Sequence, residues 1–290
     1  MKTRSIKIFA LFIIVFSFIA NGQTTGDSIK RHPSQPDLFD AEHTRQFADY
    51  LYKSGQYDFA VEEYQRLVFL DPGSYTAKTG IIKSFRQMKQ NDKALFFYEK
   101  FFPSPDTIPV SLQKTGVVLN TLEGYYPQAM KLLKISKIRD DEKETLMLGI
   151  LILQKKWKES LKFYNASDQN QNAVFHQFGN AVNRRLQHPN KSPFLAGAMS
   201  AVVPGLGKVY TKNYGDALMS FVIVGLNAWQ AWRGFSKNGI KSAHGWIFAG
   251  IGASFYLGNI WGSAKSAKKY NEKLDNEAIN EVKAVLEYNY

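Results

Sequence analysis

An internal period of 34 residues constrains this sequence more than any other feature. Ala94 and Tyr98 follow Ala60 and Tyr64 at that distance, and apolar residues surround both pairs at helical spacing. A period of this length is typical of proteins built from stacked pairs of helices, because one pair cannot bury its apolar face alone and neighbouring pairs bury it together. The sequence therefore predicts an all-α chain made of repeated helical pairs.

Two later segments continue this pattern with less regular spacing. Ala129 follows Ala94 after 35 residues, and Ser160 follows Ala129 after 31. A further stretch, from about residue 172 to residue 186, has the pattern of one more helix or of a degraded unit. We count about four repeats within residues 41–190.

The best-preserved unit covers residues 41–74. It has Gly55 and Tyr57 at its turn, Ala60 and Tyr64 in its second helix, and Pro72 at its close. This unit closely resembles the tetratricopeptide repeat. The resemblance implies a helical repeat solenoid with a concave groove, and in that family the groove or its edges bind peptide segments of other proteins.

The first helix of each unit would face this groove, and its side chains there are mixed in charge but lean basic. The candidate partner-binding residues are Arg45, Asp49, Tyr52, Lys83, Arg86 and Lys114. Basic side chains at these positions suit an acidic segment or a terminal carboxylate. A solvated helix surface is the alternative interpretation. Some family members bind a terminal carboxylate with an asparagine, and the matching positions here hold none. This difference weakens the prediction of a terminal carboxylate as the ligand.

The first 22 residues have the layout of a secretory signal peptide. Three basic residues precede an uncharged apolar run from Ile8 to Ala20, and Gly22 ends the segment. Thirteen residues make about 20 Å of helix, less than the roughly 30 Å of a membrane core, which favours cleavage over a signal anchor. Residues 23–40 are polar, contain Pro33 and Pro36, and are predicted to be a linker.

The composition changes at residue 191, and residues 191–270 are rich in glycine, alanine, serine and aromatic residues. Two stretches, 217–232 and 245–264, carry no formal charge and would form helices of about 24 and 30 Å. They predict a hydrophobic helical hairpin that associates with a membrane and contains a spanning segment at 245–264. A soluble hairpin with tight glycine packing is the alternative.

The motifs Pro204-Gly205-x-Gly207 and Phe255-Tyr256-x-Gly258-Asn259 make this region similar to a small membrane-hairpin domain of bacterial envelope proteins. That domain has no known activity, so the resemblance supports membrane association alone.

Small residues recur at every fourth position of the second stretch, namely Gly250, Ser254, Gly258 and Gly262. Such a row lets another helix approach closely within lipid, so we expect helix packing here, including homo-oligomer formation. Residues 271–290 place Leu274, Ala278, Val282 and Val285 on one stripe, which predicts an amphipathic surface or docking helix.

Several classes of protein are excluded or disfavoured. The chain has no cysteine, so it cannot be a disulfide scaffold, a zinc finger or an iron–sulfur protein. Its five histidines are scattered without a metal motif, and the Gly205–Lys208 run lacks the spacing and the hydroxyl residue of a phosphate loop. We therefore expect no enzymatic activity, no cofactor and no metal. The excess of 37 basic over 25 acidic residues does not indicate nucleic acid binding, because the basic residues are spread over the membrane flanks.

These observations predict a non-enzymatic scaffold or adaptor, exported to the bacterial cell envelope and tethered to a membrane, with its repeats facing the periplasm and binding a protein or peptide. One alternative is a component of a transport or secretion assembly in which the hairpin oligomerises or remodels the membrane. A second is a soluble periplasmic helical protein.

Overall fold

The computed structural model describes residues 39–167 and 171–289, and within these ranges every regular element is helical. The prediction of an all-α chain is thus confirmed for the described residues. The predicted signal peptide at 1–22, and the linker at 23–40 apart from its last two residues, lie outside them. From Asp40 onward the chain forms one compact unit.

Nine of the described helices precede residue 190. They are α1 (Ala41–Lys53), α2 (Tyr57–Leu70), α3 (Tyr75–Gln87), α4 (Asn91–Phe101), α5 (Val110–Leu122), α6 (Tyr126–Ile135), α7 (Asp140–Leu153), α8 (Trp157–Ala166) and α9 (Ala173–Leu186). Each packs against the next along the chain. Asp40, Ser74 and Asn172 cap α1, α3 and α9 by accepting hydrogen bonds from backbone N–H groups in the first turn.

The same turn recurs four times, between α1 and α2, α3 and α4, α5 and α6, and α7 and α8. In each turn one residue has a positive φ angle, and these residues are Gly55, Lys89, Gly124 and Lys155. Their separations of 34, 35 and 31 residues repeat the spacing found in the sequence. The two lysines adopt a backbone conformation that normally favours glycine, which shows that the turn geometry is set by the packing of the helices on either side.

Contacts between successive pairs also recur. Tyr64 packs on Gly80, Tyr98 on Gly116 and Tyr164 on Gly179, so closely that a Cβ atom on any of these glycines would overlap the tyrosine ring. Each tyrosine lies in the second helix of one pair and each glycine in the first helix of the next. The tyrosines of the sequence pattern therefore fill the space between pairs, and a glycine is required opposite each of them.

The remaining helices are α10 (Pro193–Val202), α11 (Leu206–Tyr210), α12 (Tyr214–Asn238) and α13 (Ala243–Asn289). Helix α13 has 47 residues and is about 70 Å long. Its first part packs against α10, α11 and α12, and its last part packs against α9, α7 and α5. The boundary predicted at residue 270 lies within this continuous helix.

The last part of α13 completes the apolar core of the preceding helices. Ile279, Val282 and Leu286 are buried in one cluster with Leu148 and Phe178. Residues 271–290 were predicted to be a surface or a docking helix, and in the structure the last part of α13 packs on α5, α7 and α9.

A buried arginine fixes α13 beside α9. The Arg185 guanidinium donates hydrogen bonds to Asp275 Oδ1 at 2.6 Å, to the His188 carbonyl oxygen at 3.1 Å and to Asn190 Oδ1. A side chain with this many polar partners can remain charged while it is buried. Arg185 therefore holds the C-terminal helix at one position on α9, and no pattern in the sequence indicated this role.

Residues 192–270 leave and rejoin the rest of the fold at nearly the same point. The N–H group of Lys191 donates to Asn271 Oδ1 at 2.8 Å, and Asn271 Nδ2 donates to the Lys191 carbonyl oxygen at 2.9 Å. We call residues 192–270 the glycine-rich region. Topologically it is an insertion between α9 and the docking part of α13.

In the described ranges, no helix combines the length and the apolar character needed to cross a membrane. The prediction of a spanning segment at 245–264 is corrected accordingly. The helix there is long, but its many glycine, serine and asparagine residues make it too weakly apolar.

Candidate functional site

The first candidate site is a cleft between α1 and α3. It has a volume of about 280 Å³ and includes Asp49, Tyr52 and Lys83 among its lining residues, together with Tyr64, Tyr75, Thr76, Thr79 and Gly80. Three of the six residues predicted to bind a partner therefore lie together. We call this the α1–α3 cleft.

The other three predicted residues do not form an open basic surface. Arg45 donates hydrogen bonds to Glu42 and Asp49 on its own helix, and Lys114 Nζ forms an ion pair with Glu142 Oε1 at 2.9 Å. These hydrogen bonds from Arg45, together with one from Gln46, lower the pKa of Glu42 to about 2. The acids on α1 and α7 thus neutralise much of the basic character expected from the sequence.

Arg86 lies further along the predicted groove and is partly buried. Burial lowers the pKa of Arg86, and this effect is opposed by Tyr52 and by the Glu287 carboxylate near the end of α13. Helix α13 packs on α5, α7 and α9, whereas the described part of the chain leaves the α1–α3 cleft open.

The second candidate site is the interior of the glycine-rich region, which is polar. Ser200 and Ser263 are 0 % exposed, and their hydroxyl groups are 2.7 Å apart. Asn259 is also buried, and its Nδ2 donates to the Ser200 carbonyl oxygen at 3.3 Å. Small polar side chains therefore occupy the contact between α10 and α13, where a water-soluble protein normally has large apolar residues.

These side chains satisfy the backbone where the helix breaks between α10 and α11. Gly205 has a φ angle of 89°, and its N–H group donates to Asn259 Oδ1 at 3.2 Å. The Gly207 N–H group donates to Ser200 Oγ at 2.9 Å. A Cβ atom on Gly207 would overlap the Ala196 carbonyl oxygen, so glycine is required there. The break is thus supplied with internal hydrogen-bond partners and does not depend on water for them.

The outside of the same region is apolar. Phe194 is 85 % exposed and Val202 is 81 % exposed. Further large apolar side chains that are at least half exposed lie on α12 and α13, namely Leu218, Met219, Phe221, Leu226, Trp229, Trp232, Trp246, Ile247, Leu257 and Trp261. We call this the exposed apolar surface. Large exposed apolar surfaces are uncommon on water-soluble monomers and are typical of proteins that bind a membrane or another protein.

Within the described residues, the first three members of the predicted packing row lie outside the contacts between helices. Gly250, Ser254 and Gly258 are exposed, and no described residue from elsewhere in the chain lies within 4 Å of a Cβ atom placed on either glycine. Gly262 is half-buried beside the Lys208 side chain. The row thus forms an exposed stripe on α13, and the contacts to α10 use a different face of that helix.

The described residues contain no group of histidine, aspartate and glutamate side chains arranged to hold a metal ion. No model of a known protein family matches the sequence, and no curated protein matches it.

Proposed function

We propose that the protein is a non-enzymatic scaffold of the bacterial cell envelope, exported by its N-terminal segment and held at a membrane by the glycine-rich region. In this proposal the helices of residues 41–190 form tetratricopeptide-type repeats that bind a protein partner. The α1–α3 cleft, with Tyr52 and Lys83, is the proposed contact surface.

One observation carries the membrane part of the proposal, which is the inverted polarity of the glycine-rich region. Serine and asparagine are buried between its helices, while phenylalanine, leucine and tryptophan face outward. In lipid the exposed side chains would be stable, and packing between helices would rely on small residues and hydrogen bonds, as it does here. We propose association through the exposed apolar surface and do not require that any helix crosses the bilayer.

The insertion topology provides a direct test. Replacing residues 192–270 by a short Gly/Ser linker from Lys191 to Asn271 should leave the docking part of α13 in place, because these two residues are hydrogen-bonded to each other. We expect the chain from residue 23 onward to float with phospholipid vesicles and the linker variant to remain in the aqueous fraction with its far-ultraviolet circular dichroism still helical. Equal flotation of the two proteins would refute the tether, and failure of the parent to float would favour a soluble periplasmic protein.

The simpler deletion of residues 193–290 is not a suitable control. It would also remove Val282 and Leu286, which are fully buried against the helices before residue 190. Loss of partner binding in that deletion would therefore report damage to the core of the repeats.

The partner-binding part can be tested by crosslinking in cells. A photoreactive phenylalanine analogue at Tyr52 lies in the α1–α3 cleft, and the same analogue at Phe69 on α2 provides an exposed control outside it. We expect a specific adduct from position 52 that weakens when Lys83 is changed to glutamate. An adduct of equal yield at both positions would argue against a binding site in the cleft.

The exposed stripe at Gly250, Ser254 and Gly258 favours a second candidate, namely a transport or secretion assembly formed by several copies. Close approach of two α13 helices needs small residues on an open surface, and none of the described residues covers Gly250 or Gly258. Gly258→Leu should then abolish crosslinks between copies in the membrane while leaving flotation unchanged.

A further inference from the structure

Lysine residues are concentrated where the glycine-rich region meets the helices before residue 190. The Lys191 ammonium lies 4.4 Å from the centre of the Tyr210 ring and 6.0 Å from that of Tyr270. The Thr211 and Ser266 hydroxyl groups are 2.7 Å apart, which places the end of α11 beside this part of α13. The lysines in or next to these segments are Lys191, Lys208, Lys212, Lys265, Lys268 and Lys269, of which Lys208 is half-buried with its Nζ donating to Ser220 Oγ at 2.6 Å. We call them the lysine girdle.

No member of the lysine girdle forms an ion pair with an acidic residue in the part of the chain that the structure describes. The nearest acids are Glu272, which follows Lys268 by four residues on α13, Asp216, which follows Lys212 by four, and Asp275. Asp216 accepts a hydrogen bond from Asn213 at 2.8 Å, and Asp275 is paired with Arg185. Six lysines against three nearby acids leave the lysine girdle with a net positive charge, and such a charge attracts anions.

The lysine girdle borders the exposed apolar surface. Lys265 Nζ lies 5.0 Å from the centre of the Trp261 ring, and Trp261 is itself exposed. Val209, between Lys208 and Tyr210, is also exposed. Lysine and aromatic side chains beside an apolar surface match the boundary between lipid tails and headgroups, where lysine keeps its charge in the polar layer and its alkyl chain along apolar surface.

We propose that the lysine girdle binds the headgroups of anionic phospholipids. This inference rests on the membrane association proposed above and adds a lipid preference to it. Basic residues beside an anionic bilayer strengthen binding by about fivefold each. Three exposed members, Lys265, Lys268 and Lys269, should therefore account for a preference of roughly a hundredfold.

The test compares flotation of the chain from residue 23 onward with vesicles of phosphatidylcholine alone and with vesicles that also contain phosphatidylglycerol. The triple variant Lys265→Gln, Lys268→Gln, Lys269→Gln removes charge from an exposed helix surface and keeps good helix formers there. The matched control, Lys131→Gln, Lys134→Gln, Lys158→Gln, removes the same charge from exposed positions on α6 and α8.

We expect the parent and the control to bind the anionic vesicles more tightly and the triple variant to lose most of that preference while still binding neutral vesicles. Soluble glycerol phosphate should not compete, because a headgroup is held together with the adjacent tails. Equal binding of the parent to both vesicle types, or an equal loss of the anionic preference in both variants, would overturn headgroup binding by the lysine girdle and leave the membrane association standing. Failure of the parent to bind either vesicle type would overturn the membrane association as well, and competition by glycerol phosphate would overturn the lipid as the ligand.

Discussion

The contact between Tyr98 and Gly116 permits a quantitative test of how successive helical pairs fit together. Tyr98 is 2 % exposed, and a Cβ atom on Gly116 would overlap its ring and its hydroxyl group. Gly116 lies in the interior of α5, where alanine is normally the better helix former. The substitution Gly116→Ala therefore sets helix propensity against packing.

The two effects have different sizes. Replacing a glycine by alanine inside a helix stabilises it by about 1 kcal/mol, whereas an extra methyl group in a close-packed core costs about 1–3 kcal/mol. Because the overlap involves a buried ring that also packs beside Phe102, we place the cost near the upper end of that range. The net loss is then about 2 kcal/mol, which lowers Tm by about 4–8 °C for a domain of this size.

Thermal unfolding of the chain from residue 23 onward, followed by circular dichroism, measures this loss. The control is the same substitution in a Tyr98→Leu background, where the smaller side chain leaves room for the methyl group and alanine should be neutral or stabilising. A double-mutant cycle then gives the energy of the contact. A Gly116→Ala variant that is more stable than the parent, or an equal loss in both backgrounds, would refute this account of the packing.

Three further predictions concern hydrogen bonding, acidity and the docking of α13. Tyr64→Phe should lower the free energy of unfolding by about 1 kcal/mol, because the Tyr64 hydroxyl donates to Asp49 Oδ1 at 2.7 Å. Tyr98→Phe should be neutral or stabilising, because the buried Tyr98 hydroxyl has no hydrogen-bond partner among the described residues. The pKa of Glu42 is lowered, so its ion pair with Arg45 stabilises the fold above pH 4.5, and this contribution is lost as the pH falls towards 2. Glu42→Gln should therefore make the loss of stability with falling pH less steep in that interval. Leu286→Ala should cost about 2–5 kcal/mol, because Leu286 is only 1 % exposed.

Each of these variants has a control that tests the proposed cause of its effect. The two tyrosine variants serve as controls for each other in chemical denaturation, and equal losses would contradict the assigned hydrogen bonding. For Glu42, an unchanged acid transition in the glutamine variant would remove the ion pair from the explanation. Leu286→Ala should increase hydrogen exchange in residues 275–289, while Tyr288→Ala, at an exposed position, should not. Equal exchange in both would mean that the end of α13 does not depend on Leu286 for its docking.

The helical class and the positions of the turns follow from local spacing. The intervals of 34, 35 and 31 residues in the sequence recur in the turn residues from Gly55 to Lys155, because each turn is formed by residues close together in the chain. The apolar stripe of residues 271–290 could also be found from the sequence, and Val282 on that stripe is buried in the structure. The predicted groove residues were less informative, because Lys114 on α5 pairs with Glu142 two helices further on, and the sequence alone does not show that these two side chains meet.

The sequence by itself determined that this chain is helical, where its helical pairs turn, and that its composition changes near residue 191. Only the tertiary structure decided which faces meet. The small residues at Gly250 and Gly258 made an obvious row, yet the interior of the glycine-rich region is built on Ser263 and Asn259. Ser263 and Asn259 lie inside because they bond to Ser200 and to the Gly205 N–H group at the helix break. These partners are more than fifty residues away along the chain, and no local spacing encodes such a pairing.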